Sequence, residues 1–293
     1  MHDSLRIIFG KVGAIAALGI ALTVSAAAQS LNWEGQTGVF VTPLAYTAAS
    51  PANNLGKPIV AYHFLDGGPV LGLFQTASVT EGLLGRVEIG YTRVFQQSGD
   101  TPSLSPLWKG GFNVAHGKVN LVEENGAKQK WLPAISAGFV VREGIQNVSG
   151  VLNSTHYNSG DFYVVGTKTV TQTKKVPLVL NLGYKATNAS VFGLAGVAPN
   201  YTGKLFGAGA FVFKGPASST LIFGSEFAQQ PRQIENLPGA VIPTTITYAA
   251  RIVPRKETKL NIDFGVAQAA GEVLPGVNVR VRHQFALGVS YGL

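Results

Sequence analysis

The residues that could perform chemistry in this chain are few. Past residue 28 there are four histidines, His63, His116, His156 and His283, none spaced from a carboxylate or a second histidine as metal ligands would be. The chain has no Cys, which excludes a thiolate metal site, a cysteine nucleophile and a disulfide scaffold. No G-x-S-x-G elbow, phosphate loop or dinucleotide fingerprint occurs. His116, in NVAHGKVN, is the most interesting, because Gly117 beside it offers a bulge that would re-aim the ring. With no partner placed by sequence it reads as an interfacial histidine rather than a base. No catalytic residue, cofactor or metal is therefore expected. The chemistry left is that of fixed charge: Glu88, Arg142, Lys185, Lys204, Glu226, Arg251, Asp263, Arg280 and Arg282.

The elements that must position those charges follow from composition and period. Residues 1–28 read as an export signal, with Arg6 and Lys11 ahead of the apolar run Val12–Val24 and small residues Ala26, Ala27 and Ala28 at the cut. Without them, 21 Lys plus Arg face 14 Asp plus Glu. The whole chain is only 13% charged but 46% hydrophobic, with 36 Gly. That balance excludes disorder and a coiled coil, and no run after the signal is long enough for a spanning helix.

From residue 57 the dominant period is two. Val277, Val279, Val281, Phe285, Leu287, Val289 and Tyr291 share one face, while Asn278, Arg280, Arg282, Gln284, Ser290 and three small residues share the other. The same pattern is clear at 176–186 and 258–268. It is weaker at 57–66, 70–80, 86–95, 110–122, 131–142, 161–170, 203–213, 219–228 and 244–253. Twelve strands are thus expected, with 10 to 14 compatible with spans of about 9–11 residues. The connections alternate long and short, as they do in barrels with long external loops and short periplasmic turns. One connection, 67–69, is short where a long one is due.

Small polar residues opposite the apolar face argue for lipid outside rather than a soluble sandwich. Tyr91, Phe95, Trp131, Tyr184, Tyr201, Phe213, Tyr248 and Tyr291 fall toward strand ends, where interfacial girdles sit. In hydrocarbon no strand edge can stay unpaired, so the sheet must close. The expected fold is all-β: a closed antiparallel transmembrane β-barrel, residues 57–293. Residues 29–56 fit no strand, since Gly35, Gly38, Pro43 and Pro51 break the short stretch Val39–Val41. They suit a luminal plug or, equally, an extra strand or periplasmic lead-in.

The final stretch QFALGVSYGL resembles the terminal signal read by the outer-membrane barrel assembly machinery, though it ends in Leu293 where Phe or Trp is usual. More broadly, GQTGVFVTPLAY at 35–46, GGFNVAHGKVNLVEEN at 110–125, STLIFGSEFAQQPR at 219–232 and LNIDFGVAQAAG at 260–271 resemble an uncharacterised bacterial family of predicted, porin-like outer-membrane barrels. The resemblance implies a barrel in the outer membrane and brings no activity or site residues with it.

Alternation turns the nine charges above toward the lumen, six positive and three negative, because Arg or Lys facing lipid near the midplane costs about 2–4 kcal/mol. Such a lining predicts a passive channel for small polar or anionic solutes. The alternatives are a filled, non-conducting barrel with an envelope-structural or polysaccharide-export role and, less favoured, an outer-membrane lipid hydrolase. Expected partners are outer-membrane lipids and the assembly machinery. The dispersed basic residues of an exported chain do not suggest nucleic acid.

Overall fold

The computed structural model describes residues 30–67, 72–97, 110–145, 157–170, 176–194, 196–232, 242–270 and 284–293. The signal segment, His156, His283, Arg280, Arg282 and the stretch Val277–Val281 lie outside them. Twelve antiparallel strands close into one barrel in which each pairs with its sequence neighbours and β1 pairs with β12. They are β1 (Ile59–Asp66), β2 (Leu73–Leu83), β3 (Val87–Gln97), β4 (Phe112–Val122), β5 (Ala134–Ile145), β6 (Tyr157–Val170), β7 (Leu178–Ser190), β8 (Gly196–Lys214), β9 (Thr220–Ala228), β10 (Thr244–Val253), β11 (Leu260–Ala270) and β12 (Gln284–Gly292).

Alternation decides which way each side chain faces. Phe285, Val289, Tyr291 and Phe264 are exposed on the outside, whereas Asp263, Ala286, Gly288 and Ser290 are buried. All eight aromatics expected in girdles are exposed, Trp131 by 71%. The sheet therefore does not fold back to bury its apolar face between two layers, as a soluble sandwich would.

The short first connection does not displace β1, which pairs without interruption from Ile59 to Asp66 with both of its neighbours. The long connection expected at 187–202 is largely strand, because β7 runs to Ser190 and β8 begins at Gly196. Its sequence hid this: Ala189, Val197 and Ala198 are buried apolar residues, so the polar half of the period is lost. The tip between them, Val191–Gly193, turns inward and buries Phe192. Val191 and Phe192 both adopt left-handed backbone conformations, with φ of 46° and 56°.

The interior is filled by rings lying over glycines. In register across neighbouring strands, His63 faces Gly288, His116 faces Gly90, Tyr163 faces Gly138 and Phe206 faces Gly183. A Cβ on Gly183 would lie 2.1 Å from the Phe206 ring, and one on Gly138 would lie 2.4 Å from Tyr163. Around these rings, at the end of the barrel bearing the long connections, Phe74, Val94, Phe112, Val140, Ile145 and Phe192 form an apolar core. Gly183→Val should therefore destabilise the refolded barrel by the overpacking cost of about 1–3 kcal/mol, read as a lower urea midpoint. Gly183→Val combined with Phe206→Ala should recover part of the loss. An unchanged midpoint in the single variant would show that the ring has room to move.

Candidate functional site

Residues 30–48 lie inside the barrel, almost all of them buried. The segment folds on itself first. The Asn32 side-chain oxygen accepts hydrogen bonds from the Glu34 and Gln36 amides, Trp33 N–H donates to the Phe40 carbonyl, and Leu44 N–H donates to that of Thr37. Gly35 sits at φ 86°, where a Cβ would lie 2.4 Å from Thr92 Oγ1. Even so, these internal bonds leave many backbone groups over, and each must find a partner in the wall.

Two wall carboxylates take most of the amides. Glu226 of β9 accepts from the backbone N–H groups of Phe40, Val41 and Thr42 at 3.1, 2.9 and 2.8 Å, and from the Thr42 hydroxyl at 2.7 Å. Glu88 of β3 accepts from the Thr37 amide and hydroxyl and from the Ala48 amide, at 3.0, 2.7 and 2.8 Å. Lys118 of β4 lies 3.2 Å from Glu88 and donates to the Thr37 and Leu44 carbonyls.

Cations complete the attachment. Arg142 of β5 pairs with Glu34 of the segment at 2.5 Å and grips Asp161 of β6 with both terminal nitrogens. Lys185 of β7 reaches the same Asp161 at 3.3 Å. Arg251 of β10 pairs with Asp263 of β11 and donates to the Gly38 and Val39 carbonyls. Asp263 in turn accepts from the Ser30 hydroxyl, and the Tyr163 hydroxyl accepts from Gln36.

The segment enters and leaves by the end of the barrel that carries the short turns. Leu31 bonds Ser290 near the end of β12, and the Ala45 carbonyl accepts from Ser136 and Asn120 near the start of β5 and the end of β4. Tyr46 donates to Glu124 in the β4–β5 turn. Burial, then the Glu124 charge, pushes the Tyr46 phenol well above its ordinary value, so it stays a donor. Leu55 bridges Leu83 beside the β2–β3 turn.

Seven of the nine charges named from sequence lie among the described residues, all on the inward face. Glu88, Arg142, Lys185, Glu226, Arg251 and Asp263 are brought into contact with the segment or with each other, while Lys204 lies inward in partial exposure. Lys118 and Asp161 belong with them but do not stand out in the sequence. In β4 the inward positions include Phe112 and Val114, which erases the period at Lys118. Asp161 begins the segment read as a strand, yet β6 starts at Tyr157. Among the described residues these two make the wall nearly balanced, with Lys118, Arg142, Lys185, Lys204 and Arg251 against Glu88, Asp161, Glu226 and Asp263.

His116 is corrected from interfacial to luminal. It is buried, and β4 bulges between Asn120 and Val122 rather than at Gly117. Its Nε2 lies 3.8 Å from Glu88, beyond hydrogen-bond reach, and among the described residues neither ring nitrogen has a hydrogen-bond partner. That geometry is not a nucleophile–base pair.

With this geometry established, the chain can be set beside known proteins. Among solved structures it is similar in fold to outer-membrane barrels. The KdgM porin matches at 12% identity, covering 80% of this chain and 99% of that one, with a TM-score of 0.45. A FadL homologue from Pseudomonas aeruginosa matches at 8% identity over 90% and 95%, with a TM-score of 0.38. The outer-membrane channel DcaP of Acinetobacter baumannii matches at 10% identity over 82% and 72%, with a TM-score of 0.33. No family model and no curated protein sequence matches the chain.

Because the chain has no Cys, a single introduced thiol reports on the segment alone. A Cys at Val41, a buried position beside Glu226, should react slowly with a water-soluble maleimide. Adding Glu226→Gln removes charge-assisted bonds worth about 1.5–3 kcal/mol each and should speed labelling on the order of tenfold or more. Equal rates would mean that Glu226 does not hold the segment.

Proposed function

We propose that this protein is an outer-membrane β-barrel channel held shut by its own N-terminal segment. The outward apolar belt and the exposed aromatics support the membrane location. The observation that carries the closed state is the Glu226 carboxylate receiving three consecutive backbone amides of the segment from across the lumen. Permeation requires those bonds to be exchanged for water, after which the inward charges and hydroxyls line an aqueous path for small polar solutes. The near balance of described wall charges makes any anion preference weak. Export through residues 1–28, and insertion by the barrel assembly machinery through β12, belong to the same proposal.

A second reading, a non-conducting barrel with a structural or polysaccharide-export role, is favoured by one observation. Phe74, Phe112, Ile145 and Phe192 pack into an apolar cluster above the segment, and withdrawing residues 30–48 would not by itself remove it.

Planar-bilayer recording separates the two readings. The full mature protein should insert silently, and a variant lacking residues 30–50 should give stepwise current. Glu88→Gln with Glu226→Gln, which keeps the segment, should give intermittent openings. Heat-dependent gel migration confirms that each protein is folded. Folded variants that stay silent would favour the structural role and sink the channel.

A further inference from the structure

Deepening the closed-channel reading, we propose that Lys185, Lys204 and Arg142 form a binding site for a small oxyanion, a carboxylate or a phosphate, beneath the inward-turned β7–β8 tip. Lys185 and Lys204 face each other directly in register on β7 and β8. Like charges directly opposite across a sheet repel, so the pair needs a shared counter-charge. Asp161 cannot supply it to both. Its two oxygens already take Arg142 at 3.1 and 2.9 Å, Lys185 at 3.3 Å and the Thr187 hydroxyl. Among the described residues, Lys204 has no hydrogen bond or ion pair.

Two further observations point to a ligand. Thr202 is opposite Thr187 and two residues from Lys204 on the same face, and its hydroxyl oxygen is buried without a hydrogen-bond partner, as is that of Ser190. A buried hydroxyl left unpaired carries a desolvation cost that an oxyanion's lone pairs would relieve. Lys185 and Asp161 also border a cavity of about 20 Å³, together with Phe192 and Glu34. The segment itself shows that the cluster accepts carboxylates, since Glu34 is already seated on Arg142. An entering anion would share its cations with Glu34, so binding here loosens one attachment of the segment.

The test is isothermal titration of the full mature protein in detergent with sodium phosphate and, separately, sodium acetate, against sodium chloride at matched ionic strength. Saturable binding is expected in the wild type. Lys204→Met should weaken it about tenfold or more, the loss of one charge-assisted contact, whereas Lys204→Arg should retain it. Glu34→Gln should tighten it by removing the competing carboxylate. Equal affinity in wild type and Lys204→Met, or no saturable binding of either anion, overturns the site. Because the readout needs no current, a barrel that binds phosphate yet never conducts would refute the channel and leave the site standing.

Discussion

Everything inside this barrel depends on one constraint: a backbone amide removed from water must be given another acceptor. A strand meets that demand through its neighbours, but residues 30–48 follow no ladder and cross a space only a few side chains wide. Their amides converge on Glu226 and Glu88, and their carbonyls on Lys118, Arg251, Asn120 and Ser136. Burying a carboxylate is costly unless it is hydrogen-bonded, and burying backbone is costly for the same reason. Each group removes the other's penalty, so segment and wall make one polar network rather than a guest within a finished host.

The apolar part of the lumen answers a different demand. A small barrel must be packed or flooded, and here rings from one strand lie over glycines on the next. Those glycines, which would weaken an ordinary sheet, make room for His63, His116, Tyr163 and Phe206. Bulky interior groups thus gather over β1–β8. On the β7–β11 side, near the short turns, small residues such as Ala208, Ala210, Gly224 and Ala249 border a cavity of about 50 Å³. Filling is uneven around the barrel.

The barrel was largely legible in the sequence because its outer face is apolar strand after strand, which leaves a strong period of two. That is why β11 and β12 stand out, and why Glu88, Glu226, Arg251 and Asp263, all buried, fall in the phase opposite the apolar face. The pattern fails where the lumen itself is apolar. Phe112, Val114, Val140 and Val165 face inward, so both sides of β4, β5 and β6 look alike, and Lys118 and Asp161 are lost among them. The partnership of Glu226 with Phe40, Val41 and Thr42 was not legible at all. It joins residues more than 180 positions apart through backbone amides, which every residue but proline possesses.

In the proposed channel, that generic donor set governs how the barrel would open. All the hydrogen bonds that Glu226 accepts among the described residues come from Phe40, Val41 and Thr42, and no cation pairs with it. Glu88 differs, because Lys118 would still face it if the segment left. Arg142 and Arg251 likewise keep Asp161 and Asp263. Release therefore strands one charge above all, and only water can replace three amides and a hydroxyl at that carboxylate. Departure of the segment and entry of water become a single event centred on Glu226. A barrel arranged this way has little access to a dry, half-open state, because such a state would leave a bare carboxylate in an unhydrated lumen.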